Sequence, residues 1–426
     1  MLIVALGFVL LLFMGMPVAF AIGIAGALFF LQHPELPFTI PVQRTVSQTQ
    51  NFALLAVPMF IIAGNLMNKA GITERLLALA SVLTGRLKGG LAQVSVTLSG
   101  LMGGVSGSAI ADAAMQSRML GPAMIERGLS RGFTAGVLSF GALLTPIIPP
   151  GIGMILFGTI GNVSIGRLFA AGLLPALLLW LGLAIAISVT ARRRGYQPER
   201  AHTPTVQEVT RSLRASIWAL LFPVMMLFGL RAGIFTPSEI GAFAVVYAVV
   251  IGAVVHRRLS RGSLWEGLST SVADVGAVML LLAFSAIFSY GIVLERVPET
   301  ISSAITGATD NLYAAMALIV LSLLLIGLFI DATVLIIMLT PIFLPVVRQL
   351  GGDPVHFGIV FIIAATIGNF TPPVGAAMYT VCSILKCSIQ DYTRESAFLF
   401  VSVAAVTLIL VFVPGLVLFL PNLLFG

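Results

Sequence analysis

Residues 145–151 (TPIIPPG) and 371–375 (TPPVG) are two proline breaks, each inside an apolar stretch long enough to cross a membrane. A proline inside a spanning helix removes a backbone donor and frees a carbonyl group, which lipid cannot satisfy. Such a break is therefore stable only where protein, water or an ion meets the freed groups. Two matched breaks in one chain predict a binding site between two related halves, as in secondary transporters.

The segments around the two breaks also resemble each other. Alignment of the two Pro-Pro pairs, followed by a shift of one residue, gives these identities: Gly151 with Gly375, Met154 with Met378, Ile160 with Ile384, Ser164 with Ser388 and Ile165 with Ile389. Upstream, a constant offset of 219 residues pairs Asp112 with Asp331 and Pro122 with Pro341. Chance similarity between apolar sequences is the alternative, but both alignments occur in the same order along the chain. We interpret the chain as a duplication.

The composition is that of a membrane protein. Of 426 residues, 58% are hydrophobic and 9% charged, against roughly 45–50% and 25% in soluble domains. Continuous apolar runs, the form expected of helices that need about 20 residues to cross a bilayer, lie near 2–31, 52–68, 132–160, 168–191, 215–230, 237–255, 268–293, 357–385 and 397–424. Barrel strands would alternate apolar and polar residues instead. The predicted fold class is an all-α polytopic membrane protein.

Several other classes of function lack support in the sequence. Cys382 and Cys387 offer no disulfide framework, and the four histidines have no metal-ligand spacing. We find no phosphate-binding glycine loop and no local Ser/His/Asp pattern, so ATP hydrolysis and other enzyme chemistry are not predicted, and neither is a bound cofactor. The first residues lack the basic region of a signal peptide, so we expect a retained first helix.

The basic residues predict topology rather than nucleic-acid binding, because they cluster in loops between apolar runs. If the N-terminus faces outward, 17 of the 23 Lys and Arg residues, among them Arg44, lie inside. The other six are predicted outside: Lys69, Arg75, Arg167, Arg231, Arg296 and Arg348. This bias favours an orientation in which both termini of a multi-pass membrane protein face out of the cytoplasm.

The duplication divides the chain into two predicted repeats joined by a cytoplasmic linker, residues 192–214. The first repeat, 1–191, contains a hairpin at about 90–124 and a broken helix at about 132–160. The second, 215–426, contains a hairpin at about 313–347 and a broken helix at about 357–385. Because an odd number of crossings separates their starts, we expect the second repeat to be inverted.

Residues 103–112 (GGVSGSAIAD) predict the first hairpin, since glycine and serine disfavour an uninterrupted helix. The chain would turn near Ser106, Gly107 and Ser108 and restart as a helix near Ala109. Such a tip presents N–H groups and carbonyl groups together, so it suits anions and cations. The alternative is a packing interface of small residues.

Asp112 and Asp331 are flanked by apolar residues, and a carboxylate at membrane depth is a functional candidate. Each could bind a hard cation, cap a helix, line a water-filled vestibule or carry a proton.

The breaks supply further oxygen donors, namely Thr145, Thr371, Asn369 and the freed carbonyl groups. Helices restarting at Gly151 and Gly375 would point positive dipole ends toward a carboxylate. A plain proline kink is the alternative.

Together these stretches resemble the large membrane subunit of tripartite ATP-independent periplasmic (TRAP) transporters. The resemblance is carried by residues 103–112, 145–169 (TPIIPPGIGMILFGTIGNVSIGRLF), 329–345 and 368–375, and it runs nearly end to end. One departure concerns Gly151, where family members usually have serine. A hydroxyl contact is therefore not expected there, although a backbone contact is.

The resemblance implies Na⁺-driven import of a small organic acid, such as a dicarboxylate or sialic acid, by an elevator motion. It also implies two partners, a small four-helix membrane subunit and a periplasmic substrate-binding protein. One Na⁺ site would comprise Ser106, Gly107, Ser108 and Thr145, with Asp112 beside it. The other would comprise Gly327, Asp331, Asn369 and Thr371. The substrate-binding candidates are Ser106, Ser108, Asp112, Gly151, Thr371 and Gly375.

Two alternatives stay open at this point. A stand-alone Na⁺- or H⁺-coupled anion transporter of a related inverted-repeat fold would need no binding protein. A membrane enzyme or assembly scaffold is the other, and it lacks a recognisable set of catalytic polar groups.

Overall fold

The computed structural model describes residues 2–37, 39–200, 202–373 and 375–426, in which the regular elements are helices. Those before the first break are α1 (Leu2–Phe13), α2 (Val18–Gln32), α3 (Thr39–Thr49), α4 (Ala56–Lys69), α5 (Ile72–Thr84), α6 (Leu91–Met102), α7 (Ala109–Met119), α8 (Gly121–Glu126) and α9 (Arg131–Gly141). Those between the breaks are α10 (Ile152–Gly161), α11 (Ile165–Arg194), α12 (Val206–Arg231), α13 (Pro237–Val250), α14 (Arg261–Leu294), α15 (Val297–Ala308), α16 (Leu312–Gly327), α17 (Ala332–Gln349) and α18 (Pro354–Asn369). After the second break follow α19 (Ala376–Leu385), α20 (Ile389–Phe412) and α21 (Pro414–Phe425).

Seven helical stretches in the described part of the chain are long and apolar enough to cross a membrane. Leucine, isoleucine, valine and phenylalanine side chains fill the space between them, and many of these are completely buried. The prediction of an all-α polytopic membrane protein is confirmed.

The molecule has two opposite faces, which α11 connects, since its 30 residues extend over about 45 Å. On the linker face, the connector after α11 packs on the turn between α5 and α6, where the Glu199 N–H donates to the Gly85 carbonyl at 2.7 Å. On the terminal face, Arg167 in the first turn of α11 donates to Asn422 in α21 at 3.0 Å.

The two hairpins open toward opposite faces. Arg127, which follows α8, pairs with Glu199, so the chain returns from the α6–α7 hairpin to the linker face. The α16–α17 hairpin returns to the terminal face, because Arg348 near the end of α17 donates to the Gly161 carbonyl at 2.8 Å. The tips of both hairpins lie between the faces.

The two halves repeat the same local features around their breaks. Both Pro-Pro bonds, 149–150 and 372–373, are cis. The helices after the breaks, α10 and α19, both end in a left-handed residue, Asn162 with φ 51° and Lys386 with φ 52°. The next helices, α11 and α20, are both capped by serine, Ser164 and Ser388.

The linker is shorter than predicted from the sequence. Residues 192–194 are the last turn of α11, which ends at Gly195 with φ 72°. Thr205 and Glu208 form a capping box that begins α12. Only 195–205 connect the halves, because a basic last turn and a capping box extend both helices into the polar stretch.

The first apolar run also differs from the predicted single span. It forms two short antiparallel helices, α1 and α2, which turn at residues 14–17. A Cβ on Gly7 would lie 3.1 Å from the Leu28 side chain, which places the two helices side by side. Gly15, with φ 80°, and Pro17 provide the turn.

This helix pair changes the predicted positions of three basic residues. Arg44 lines a cavity on the terminal face together with Asn162 and was wrongly grouped with the linker-face residues. Lys69 and Arg75 lie on the linker face, where the Ser216 hydroxyl donates to the Arg75 carbonyl at 3.0 Å. The terminal face therefore holds five of the 23 basic residues, Arg44, Arg167, Arg231, Arg296 and Arg348.

Candidate functional site

The tip of the first hairpin packs directly on the first proline break. Gly107 has φ 62°, and a Cβ there would lie 2.8 Å from the Pro150 carbonyl oxygen. A Cβ on Gly103 would similarly lie 2.5 Å from the Ile148 side chain. Glycine is required here both by backbone conformation and by the close approach of the break.

Asp112 lies at the centre of a buried hydrogen-bond network beside this tip. Only 1% of the residue is exposed. Its carboxylate accepts hydrogen bonds from Ser99 at 2.7 Å, from Thr145 at 3.0 Å and from the Gln116 amide at 3.0 Å. All of these donors are neutral, and the contact with Thr145 joins the hairpin to the break.

Sequence reasoning missed the outer members of this network. Gln116 lies one turn after Asp112 on α7, and its amide oxygen accepts from Ser95 at 2.8 Å. Ser95 and Ser99 are four residues apart on α6, so they share one helix face. Polar residues at this spacing in an otherwise apolar hairpin were the available signal.

The two serines of the tip have different surroundings. Ser108 caps α7, with its hydroxyl accepting from the Ala111 N–H at 3.4 Å. The Ser106 hydroxyl is buried and has no hydrogen-bond partner within the described chain. A buried polar oxygen without a partner is costly, so Ser106 is a candidate ligand for an ion or substrate.

Gly151 begins α10, and no side chain caps that helix. A Cβ built on Gly151 would lie 1.9 Å from the Pro146 carbonyl oxygen. The backbone of the break therefore occupies the space that a side chain at Gly151 would need. A binding role for the Gly151 backbone stays a prediction.

The second cluster joins the tip of the α16–α17 hairpin to the second break. One Asp331 oxygen caps α17 by accepting from the Thr333 N–H at 2.8 Å, and the other accepts from the Asn369 amide at 2.8 Å. The side-chain amide oxygen of Asn369, Oδ1, is buried and has no hydrogen-bond partner among the described residues. Asp331 is thus both a helix cap and a member of a polar cluster.

Glycines allow the backbone segments of the second cluster to approach each other closely. A Cβ on Gly327 would lie 3.0 Å from the Cα of Gly368. A Cβ on Gly375 would lie 2.5 Å from the Asn369 carbonyl oxygen and 2.8 Å from that of Thr371. Backbone carbonyl groups of the break therefore converge where α19 begins. Val374 lies outside the described residues.

The Thr371 hydroxyl donates to the Ile367 carbonyl at 2.7 Å, so its lone pairs are its remaining binding capacity.

The structure divides the predicted site residues between these two clusters. Ser106, Gly107, Ser108, Asp112, Thr145 and Gly151 belong to the first, and Gly327, Asp331, Asn369, Thr371 and Gly375 to the second. Among the residues that the structure describes, no hydrogen bond joins the two clusters. Helix contacts connect them, since α7 packs on α19 and α10 packs on α17.

An all-helical membrane fold with two polar clusters at hairpin tips and helix breaks defines the class of the protein, a polytopic transporter. Solved structures show the same fold. The YdaH transporter of Alcanivorax borkumensis superposes with a TM-score of 0.63 at 14% identity, covering 87% of each chain. The MtrF protein of Neisseria gonorrhoeae gives a TM-score of 0.58 at 15% identity, covering 87% of this chain and 84% of that one.

The chain belongs to the DctM component family of tripartite ATP-independent periplasmic transporters, whose family model matches residues 5–416. It is 33% identical to the 2,3-diketo-L-gulonate TRAP transporter large permease protein YiaN of Escherichia coli, over 95% of both chains. It is also 33% identical to the sialic acid TRAP transporter large permease protein SiaM of Vibrio cholerae, over 99% of this chain and 98% of SiaM. The isethionate TRAP transporter permease protein DctMQ of Oleidesulfovibrio alaskensis is 33% identical over 97% of this chain and 65% of its own length.

Proposed function

We propose that this large permease subunit imports a small organic anion together with Na⁺ by an elevator motion. The anion would be delivered by a periplasmic substrate-binding protein, and a small four-helix membrane subunit would complete the transporter. The observation that carries the proposal concerns two of the buried side-chain oxygens without partners, on Ser106 and on Asn369, because one lies beside each proline break.

The donor chemistry of both clusters suits Na⁺, a hard cation that prefers oxygen ligands. In the first cluster the hydroxyls of Ser106, Ser108 and Thr145 and the Gly107 carbonyl would hold the ion. Asp112 would compensate its charge through the contact with Thr145. The carboxylate has only neutral hydrogen-bond donors, so a bound cation would favour its ionised form.

In the second cluster the ligands would be Asp331, the Asn369 amide oxygen, Thr371 and the Gly327 carbonyl. The convergence of the Asn369 and Thr371 carbonyls near Gly375 supports a cation on that side of the break. The uncapped start of α10 at Gly151 would offer N–H groups to the anion. Ser106, Ser108, Asp112, Gly151, Thr371 and Gly375 would then surround the substrate.

We also infer that the two halves are inverted repeats. Supporting this, α9 begins on the linker face, whereas its counterpart α18 begins on the terminal face, where Asp353 lies 4.0 Å from Arg167. The matched caps and the opposite openings of the hairpins agree with inversion. Hairpins and broken helices would form the moving unit, and α4, α12, α13 and α14 the scaffold.

The basic residues support an orientation with the linker face in the cytoplasm. With Lys69 and Arg75 on the linker face and Arg44 opposite, 18 of the 23 basic residues lie on the linker face. Such an excess is typical of cytoplasmic loops in the bacterial inner membrane. Both termini would then face the periplasm.

Three relatives are named for 2,3-diketo-L-gulonate, sialic acid and isethionate, which are all organic acids. The proposed substrate class for this chain is accordingly a small organic carboxylate or sulfonate.

Reconstitution tests the proposal. The chain is placed in liposomes with its small subunit, and the binding protein is added outside with the ligand that mass spectrometry finds bound to it. We expect uptake with an inward Na⁺ gradient and none when K⁺ replaces Na⁺. Equal uptake in K⁺ would disprove Na⁺ coupling.

The fold shared with YdaH keeps the stand-alone transporter as a second candidate. Uptake of the same rate without the binding protein would favour it.

A further inference from the structure

A polar cavity of about 700 Å³ opens on the terminal face, away from both clusters. Its walls come from two groups of elements. One consists of the end of α10 and the middle of α17, which carry Thr159, Asn162 and Ile337. The other consists of α3, the end of α14 and the start of α15, which carry Arg44, Ser289 and Arg296. The cavity therefore lies between elements that bear the site and helices that pack around them.

Two arginines at this cavity have no ion-pair partner in the described part of the chain. The Arg44 guanidinium lies 4.9 Å from the centre of the Tyr290 ring, which fixes its position without occupying its donors. Arg296 is exposed on the turn between α14 and α15. Both guanidinium groups are thus available to an anion.

The charged residues that line the cavity carry a net positive charge. Glu299 lines the same cavity and forms no ion pair with the residues that the structure describes, so two positive groups face one negative group. Glu295 is not among the residues that line the cavity, and its carboxylate contacts His33 Nε2 at 3.1 Å. Elsewhere on the terminal face, Arg167 and Arg348 are held by Asn422 and by the Gly161 carbonyl.

We propose that this cavity is a vestibule that binds a small soluble organic anion, a carboxylate or sulfonate, through Arg44 and Arg296 before the anion reaches the hairpin tips. Arginine presents planar pairs of donors that match both kinds of anion. Gln48, Asn51 and Asn162 supply neutral amide donors in the same space. The role as a station on the import route rests on the proposed function, whereas the binding of anions does not.

The test measures charge selectivity inside the cavity. Ser289→Cys is made with Cys382→Ala and Cys387→Ala, and the protein is placed in phosphatidylcholine nanodiscs, which contain no anionic lipid. The cysteine is labelled with two methanethiosulfonate reagents, one bearing a sulfonate and the other a trimethylammonium group. Each labelling rate is divided by the rate at which the same reagent reacts with free 2-mercaptoethanol. The selectivity ratio is the normalised rate of the anionic reagent over that of the cationic reagent. We expect the anionic reagent to be favoured about tenfold, from two charges acting through partly hydrated space. Ser47→Cys, on exposed α3, provides a second reporter at the same cavity.

The variants identify the source of the selectivity. Arg44→Gln with Arg296→Gln should bring the ratio close to equality, and Glu299→Gln should raise it. Arg231→Gln, an exposed arginine on the same face but outside this cavity, is the matched control and should leave it unchanged. An unchanged ratio in the double Arg variant at both reporter positions would overturn the proposal.

Binding is then tested with succinate and isethionate as probes. Either should slow the labelling of Ser289→Cys by the uncharged methyl methanethiosulfonate at least about twofold more than chloride of equal ionic strength, because bidentate contacts exceed simple screening. Loss of this protection in the double Arg variant is expected. Protection equal to that of chloride would show that the cavity is a positively charged surface without a specific anion site, and it would overturn the proposal. Neither measurement needs Na⁺ or the partner subunits, so failure of Na⁺-driven uptake would leave these results unaffected.

Discussion

Gly151 shows how a single missing side chain determines the chemistry of a break. With the Pro146 carbonyl oxygen 1.9 Å from the position of its Cβ, any larger residue requires the backbone to move. The usual serine of the family would have to adopt another local geometry. We therefore expect the first break to bind a ligand through backbone groups.

Gly151→Ala should destabilise the protein by about 1–3 kcal/mol through overpacking. A fall of several degrees in the melting temperature, followed by tryptophan fluorescence in detergent, is the expected result. Gly276→Ala is the control, because a Cβ on Gly276 in α14 has no neighbour within 4 Å. Equal melting temperatures for both variants would show that the break adapts without cost.

Asp331→Asn separates the two roles of Asp331. Asparagine caps helices as well as aspartate does, so the contact with the Thr333 N–H and the folding stability should be retained. Loss of the charge beside Asn369 should raise the Na⁺ concentration for half-maximal uptake about tenfold, equivalent to about 1.4 kcal/mol. Unchanged Na⁺ activation at normal expression would exclude the carboxylate as an ion ligand.

At the scale of elements, the sequence predicts the breaks and the first hairpin well. Glycine, serine and proline specify them locally, so α7 begins at Ala109 as expected and α10 and α19 begin just after Gly151 and Gly375. The turn between α1 and α2 was missed, because its residues 14–17 are few and the apolar run continues through them. Apolarity alone does not tell a single span from a tight helix pair.

The network around Asp112 was only partly predictable for a similar reason. Thr145 and Asp112 stand out in apolar surroundings, whereas Ser95, Ser99 and Gln116 become meaningful only when α6 and α7 pair. Which polar residues meet across a hairpin depends on the rotation of two helices, and the sequence periodicity leaves that rotation open.

Gln116→Leu should destabilise the first hairpin strongly. It would leave Ser95 without its acceptor and remove one donor from Asp112, at a cost of about 1–3 kcal/mol for each unsatisfied buried group. Thermal unfolding measures the effect. Ser117→Ala is the matched control one residue along α7, since the Ser117 hydroxyl only bonds back to the Ala113 carbonyl. Comparable melting temperatures for the two variants would contradict a structural role for the network.

At the scale of the whole molecule, the charge distribution sets an orientation that labelling can test. Ser47 on the terminal face and Gln197 on the linker face are replaced singly by cysteine, with both native cysteines changed to alanine. An impermeant maleimide should label Ser47→Cys in intact cells and Gln197→Cys only after permeabilisation. The reverse pattern would require the opposite orientation and remove the periplasmic assignment of the cavity.

We propose above that the two clusters couple Na⁺ movement to the import of an organic anion. The most direct test is the entry of radioactive sodium into proteoliposomes that contain both membrane subunits, with and without the loaded binding protein. We predict that sodium entry rises when the loaded binding protein is added and that Asp331→Asn removes the rise. Uptake of the organic anion with no increase in sodium entry would contradict the coupling of the two.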